Sequence, residues 1–194
     1  MMSRWVLSSL FFLYVSSASG KWELEKDESG IKIYSRSHAT SDFKEYKALT
    51  TFRASRNKVA SLILNIDDYV NWFPDCLESY QIKKEGDEMI VYYLIDSPWP
   101  ISDRDAVMRL KIDHSNKETL IHFEEVTAVK PKVKNVVRIP KSRGFWRLTD
   151  VGEKTSVVYQ NHADPGGEVP AWVTNLFIVD APYETLVAMK KRLK

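Results

Sequence analysis

The chain reads as an α+β domain: a curved antiparallel sheet gripping a helix near the C-terminus. Three observations carry this. Short segments of alternating apolar and polar residues recur from Gly30 to about Thr155, separated by turn-like pieces, as in half-buried strands. The period changes to a helical one between Ser55 and Phe73 and again after Pro170. With 194 residues, 44% hydrophobic and 28% charged, the composition is that of a globular protein with one sizeable core. Collagen-like, low-complexity and wholly disordered readings fall away.

In chain order, Gly30-Ile31-Lys32-Ile33-Tyr34 predicts a strand with Ile31 and Ile33 on one face, and Phe43 to Phe52 a second after a polar turn. Val59, Leu62, Ile63 and Ile66 recur at helical spacing behind Ser55, a suitable N-cap. Residues 67–73 predict a second short helix, stopped by Pro74. Strands resume at about Leu77, Met89, Arg104, Thr119, Phe145 and Thr155. The turns between them are 85–87, 97–100, 114–116 and 151–153, which implies an antiparallel meander. From Pro170, Trp172, Leu176, Val179, Tyr183 and Leu186 form one apolar helical stripe. Pro182 is expected to kink that helix by removing a backbone donor. Lys190, Lys191, Arg192 and Lys194 suit the negative end of its dipole.

The N-terminus places one basic residue, Arg4, before an apolar run from Trp5 to Val15, and then small residues up to Lys21. This is the pattern of a secretory signal peptide over residues 1–20, with residues 21–194 as the exported domain. The run is far short of the roughly 20 residues that span a bilayer. The expected location is the periplasm in a bacterium and the exterior otherwise. Loss of Arg4 with the leader leaves 27 basic residues against 26 acidic ones, and the whole chain is +2, so the charge argues against nucleic acid as a partner. The lone cysteine, Cys76, excludes an internal disulfide framework and a cysteine-based zinc cluster. It reads as a buried or half-buried thiol, with nucleophile as the sharper alternative.

Three stretches carry a family resemblance: Ser97-Pro98-Trp99-Pro100-Ile101-Ser102-Asp103-Arg104-Asp105, Gly144-Phe145-Trp146-Arg147-Leu148, and Asp164 through Trp172. In this order, with a closing helix, they resemble the START family of lipid-transfer domains over about residues 22–192. The resemblance implies a helix-grip fold with an internal hydrophobic tunnel for one lipid, and the C-terminal helix and neighbouring loops as lid. It implies sterol, phospholipid or similar ligands carried without catalysis, a monomer, transient contact with a membrane surface, and no cofactor.

Within the strand from Ser102 to Ile112, even positions hold Arg104, Ala106, Met108, Leu110 and Ile112, so the even face is expected to be interior. A buried guanidinium there needs an anionic or strongly accepting partner. Two readings stand side by side: an ion pair with an internal acid, and contact with a lipid headgroup, which the resemblance supports because phosphatidylcholine carriers use an arginine in this motif. A third is a solvated strand end. Animal members have an aromatic residue where this chain has Ala106 and a second arginine at the position of Leu110, so headgroup identity does not carry over.

Aromatic side chains are the other contacts, whether as ligand walls or as core. The candidate ligand-binding set is Arg104, Tyr92, Met108, Leu110, Phe123, Trp146, Tyr159, Trp172 and Leu176, with Tyr93 as a further aromatic on the same segments. Trp99, Phe177 and Pro182 are candidates for lid or membrane contact, and the Gly166-Gly167 turn for a hinge. Residues 126–149 hold Lys130, Lys132, Lys134, Arg138, Lys141, Arg143 and Arg147 without one acid. This basic run reads either as a solvated face or as an attraction to anionic lipid surfaces. His38, His114, His122 and His162 are scattered, with no HExxH spacing, Gly-x-Ser-x-Gly elbow or P-loop, and no catalytic or metal site is assigned. The alternative function is a helix-grip enzyme of cyclase, dehydratase or hydrolase type, for which His122 with Glu124 and Glu125 is the nearest acid–base group. It would require a His–carboxylate pair facing the tunnel. A ligand-gated interaction module ranks last.

Overall fold

The structure, a computed structural model, describes residues 19–194; most of the expected signal peptide lies outside the described residues. The strands are β1 (Glu23–Glu28), β2 (Ile31–His38), β3 (Ser41–Phe52), β4 (Cys76–Glu85), β5 (Glu88–Ile95), β6 (Arg104–His114), β7 (Glu118–Glu125), β8 (Val137–Arg138), β9 (Lys141–Val151) and β10 (Lys154–Asp164). They build one curved sheet in the order β1-β2-β3-β10-β9-β7-β6-β5-β4, antiparallel except that β8 adds in parallel to β6.

The expected meander holds in pieces but not throughout. Helix α1 (Arg56–Leu64) and a 3-10 turn (Ile66–Asn71) carry the chain from β3 across to β4 at the far edge, so β3 and β4 are not neighbours. A helical crossover releases consecutive strands from pairing, and the returning β10 takes the place beside β3. Ser55 caps α1: its side chain accepts from the Lys58 N–H at 3.3 Å. Strands β1 and β8 escape the sequence reading because neither alternates: β1 is almost wholly charged and mostly exposed, and β8 has two residues.

The C-terminal stripe is interrupted. Helix α2 (Ala171–Phe177) ends, the chain turns at Ile178 and Val179, and α3 (Asp180–Arg192) begins. Pro182 is the third residue of α3 and buried, which corrects its expected role as a mid-helix kink and as a membrane contact. First-turn N–H groups have no intrahelical acceptor, so proline belongs there without breaking anything. Helix α3 buries Leu186 and Met189 completely against the sheet, touching β2 and β3. Its basic end is held as the dipole favours: Lys190 donates to the Ser29 carbonyl at 2.7 Å, and Arg192 pairs with Asp68 at 3.4 Å. Among the described residues no helix is long and apolar enough to cross a membrane.

Candidate functional site

Strand register decides which side chains meet. Val91 faces Met108, Leu110 faces Phe123, Ile121 faces Trp146, and Trp146 faces Tyr159 across successive antiparallel pairs, so all of them share the inner face. All but Ile121 enclose an apolar cavity of about 50 Å³ with Tyr93 and with Ile63, Ile66, Tyr69 and Phe73 from α1 and the segment after it. Trp146 and Tyr159 stack at 3.6 Å with their planes 5° apart. Five of the expected ligand contacts, Met108, Leu110, Phe123, Trp146 and Tyr159, therefore lie together on this cavity.

Tyr92 does not. It pairs with Val107 on the opposite face, fully buried, with the Lys130 ammonium 4.3 Å above its ring. The reason is parity: β5 runs antiparallel to β6, and the register that sets Ala106 inside sets Tyr93 inside with it. Sequence reasoning missed the helical wall altogether. Ile63 and Ile66 carried the helical period, but nothing in that period says which sheet region the helix covers.

No charged side chain lines the cavity. The tyrosine hydroxyls are held neutral there: burial pushes Tyr159 up to about 12 and raises Tyr93 and Tyr69 further. A charged side chain is found in a separate groove. This groove, of about 200 Å³, runs between the β5–β6 loop and α2, lined by Ser97, Pro98, Ile101, Arg104, Pro165, Val169, Val173, Thr174 and Phe177. Arg104 is 8% exposed. Its guanidinium donates to the carbonyls of Ser102 and, at 3.5 Å, Gly166. Among the described residues no carboxylate forms a salt bridge with it. Burial lowers its pKa, opposed by the nearby charge of Asp103. The internal ion pair belongs to the next residue instead. Asp105 is 1% exposed and accepts two bonds from Arg138, at 2.6 and 2.8 Å, on the other face of β6.

Both faces of early β6 are thus buried, because β8 and the loop before it cover the outer one. Arg138 also donates to the Lys130 and Pro131 carbonyls, so this member of the basic run is an internal clip and not a free surface charge. Trp172, expected in the interior or at its mouth, is 69% exposed and lines neither the cavity nor the groove, to which α2 contributes Val173, Thr174 and Phe177. The break at residues 178–179 removes the continuous stripe on which that expectation rested. The side chain of Leu176 lies outside the described residues. Trp99 is 93% exposed at the tip of the β5–β6 loop, and Phe177 is 51% exposed. Gly166 and Gly167 take left-handed φ values of 68° and 73° beside Arg104, where any other residue would be strained.

The histidines stay off the cavity. His122 faces Asp113 at 3.9 Å on the exposed side. His38 stacks on His162 at 3.8 Å, and burial, followed by the neighbouring His38, lowers the pKa of His162 below 6.5. A lowered folded pKa means that the folded state resists protonation. The stability this gives is complete above about pH 6.5 and is lost as pH falls through the folded value. The urea midpoint is expected to drop between pH 7.5 and 5.5, and the drop to shrink in His162→Gln. An unchanged pH slope in that variant would contradict the assignment. Cys76 is half-buried, and burial raises its thiol pKa, which disfavours the nucleophile.

The comparisons with known proteins agree with this architecture. An uncharacterized protein of Pseudomonas aeruginosa is 34% identical over 188 residues, covering 95% of this chain and 93% of its own. The rat phosphatidylcholine transfer protein is 26% identical over 161 residues, covering 79% of this chain and 75% of its own. A crystal structure of a STAR-related lipid transfer protein from Xanthomonas axonopodis superposes with a TM-score of 0.84 at 32% identity, over 89% of this chain and 98% of that one. The START domain matches residues 8–194, with the helix-grip sheet, the inner cavity and the groove all inside that span, and the chain belongs to the START domain family.

Proposed function

We propose that the protein binds a single lipid in the inner cavity and transfers it between membranes without chemical change to the cargo. The observation that supports this most strongly is the division of the site: an uncharged, aromatic-walled interior and a separate groove whose one cation, Arg104, forms no salt bridge among the described residues. Two proteins it is similar to are named as carriers, one a phosphatidylcholine transfer protein and one a STAR-related lipid transfer protein. Burial of apolar ligand surface, at roughly 25 cal/mol per Å², supplies the affinity. Arg104 selects the head, since its planar fork suits phosphate or carboxylate.

The β5–β6 loop and α2 serve as the lid. Trp99 and Phe177 enter the membrane interface while Lys132 and Lys134, both exposed, meet anionic lipid. Residues 1–20 direct export, and the carrier works as a monomer in the periplasm or outside the cell. The enzyme alternative would need a histidine and a carboxylate on the cavity wall, and the residues that line it include neither.

Native mass spectrometry of the protein from its own host, followed by solvent extraction, is expected to find one lipid per chain. Moving labelled lipid between vesicles is expected to slow about tenfold in Trp99→Ser with binding retained. An empty protein that neither takes up nor moves lipid would overturn the carrier function.

A further inference from the structure

Resting on the carrier reading, we infer that Asn175 is a positioning residue that latches the lid helix α2 to the free end of β3, and that the His38–His162 pair beside it makes the latch yield to acid. The ladder between β3 and β10 stops at Glu45 and His162. Beyond that pair β10 stays with β9 as far as Asp164 and Lys141, and the start of β3 is left without it. An open strand edge presents N–H and C=O groups that need partners. The Asn175 side chain supplies both. Its Oδ1 accepts from the Lys44 N–H at 3.0 Å, and its Nδ2 donates to the Asp42 carbonyl at 3.3 Å. One side-chain amide thus stands where a peptide of a neighbouring strand would. Among the described residues no other α2 side chain hydrogen-bonds to the sheet. Helix α2 has seven residues, none of them charged, and no side-chain cap at its N-terminus. A helix needs about 12–15 residues to be even marginally stable alone, so α2 stays in place through its tertiary contacts. The strand it packs on is β3. The latch also stands close to the cargo site. Lys44 and Tyr46 share the inner face of β3, the Tyr46 ring meets Tyr159 edge-on at 5.2 Å, and Tyr159 lines the inner cavity.

The hairpin tip that carries Asp42 and Lys44 is held on its other face by histidine. His38, at the end of β2, stacks on His162 of β10 with the ring centroids 3.8 Å apart and the planes at 16°. His38 Nδ1 accepts from the Thr40 N–H at 3.4 Å, a bond that a proton on that nitrogen removes. His162 Nε2 is buried without a hydrogen-bond partner among the described residues, so a charged ring there would hold an unsatisfied donor. The charged groups around the pair do not offset this. On β3, Glu45 is held by Arg36 of β2 and by Gln160 of β10, each at 2.6 Å, and Asp42 is exposed. Glu125 of β7 accepts from the Ser142 N–H at 2.8 Å, and Asp164 of β10 from the Gly166 N–H at 2.9 Å. Lys141 and Arg143 of β9 and His122 of β7 line the same groove as the pair and oppose further positive charge. Burial and then His38 lower the His162 pKa, outweighing Glu45, the Phe43 backbone and Asp164, which favour the charged ring. The stacked state therefore loses stability as pH falls below 6.5 through the lowered value, and separated rings take up protons more readily. When the rings part, the tip moves with His38, and the Asn175 bonds to Asp42 and Lys44 break.

Amide hydrogen exchange and lipid transfer test the latch separately. Exchange of residues 42–44 and 171–177, corrected for the intrinsic effect of pH, is expected to rise about tenfold from pH 7.5 to 5.5, as one unit of pKa difference gives, with the rest of the sheet rising less. Asn175→Ala is expected to show the faster exchange already at pH 7.5, and His162→Gln to keep the slow exchange at pH 5.5. Asn175→Asp, which keeps the size and the acceptor but loses the donor to Asp42, is expected to fall between Asn175→Ala and the parent. Transfer of pyrene-labelled phosphatidylcholine between vesicles of phosphatidylcholine and phosphatidylglycerol reads cargo exchange. Asn175→Ala is expected to speed it about fivefold at pH 7.5 and to flatten its pH profile, as loss of a closed lid does. The lipid bound at equilibrium and the urea midpoint are expected to stay unchanged, because a latch governs loading and release together. Unaltered exchange of residues 171–177 in Asn175→Ala, or loosening spread evenly through the sheet, would overturn the latch. The parent's pH response persisting in His162→Gln would overturn its acid control. Faster exchange of α2 without faster transfer, in a protein that does transfer lipid, would overturn its part in cargo exchange. No transfer, together with no lipid in the native protein, would instead bring down the carrier function, while amide exchange still decides the latch.

Discussion

Arg138→Leu is expected to destabilise the fold by about 3–5 kcal/mol, the cost of leaving a buried carboxylate without its partner. Asp105 is 1% exposed and takes both of its short charge-assisted bonds from Arg138, so the variant strands a charge that water cannot reach. The same guanidinium holds the loop before β8 through the Lys130 and Pro131 carbonyls. That loop therefore loosens as well, and with it Val137, whose methyl groups lie close to Gly166 and Gly167 beside Arg104. Urea unfolding measures the loss, and the double variant Asp105→Leu with Arg138→Met is expected to recover most of it, because an apolar pair of similar volume carries no desolvation penalty. A loss in the single variant below about 1 kcal/mol would show that the pair is not buried as described.

Gly144→Ala is expected to cost about 3 kcal/mol or to prevent folding, at the upper end of the range for overpacking. The new Cβ would lie 2.1 Å from the Gln160 carbonyl oxygen, and backbone in the neighbouring strand cannot swing aside as a side chain can. It would also press on the Phe123 ring, which borders the inner cavity. Glycine is required at this position by close approach and not by backbone angle. Thermal unfolding of Gly144→Ala beside Gly152→Ala separates the two causes. Position 152 has open space around it and a left-handed φ of 62°, so its variant reports conformational strain alone. Equal losses in the two would refute the packing argument.

The amino-acid order determined more of this protein than composition suggests. Eight of the ten strands and α1 follow from alternation, helical period and turn residues, because those patterns are local consequences of which side chains a strand or helix can bury. The even face of β6 was legible for the same reason, and Met108 and Leu110 stand on the cavity as the alternation requires. The C-terminal helices were legible in composition but not in continuity, since one apolar stripe fits a single helix and two short ones equally well.

What only tertiary structure decided depends on pairing between distant segments. Register placed Tyr93 inside and Tyr92 outside, although the two are neighbours of identical chemistry. The crossover brought Tyr69 and Phe73 over the sheet to complete a wall that no local pattern announces. Most plainly, the folded chain divided two adjacent charges. Asp105 received Arg138 from β8, 33 residues further along the chain, while Arg104 was left lining the groove, its guanidinium donating to carbonyls. A sequence lists charges one after another. Which of them are paired depends on what the fold brings within hydrogen-bond distance.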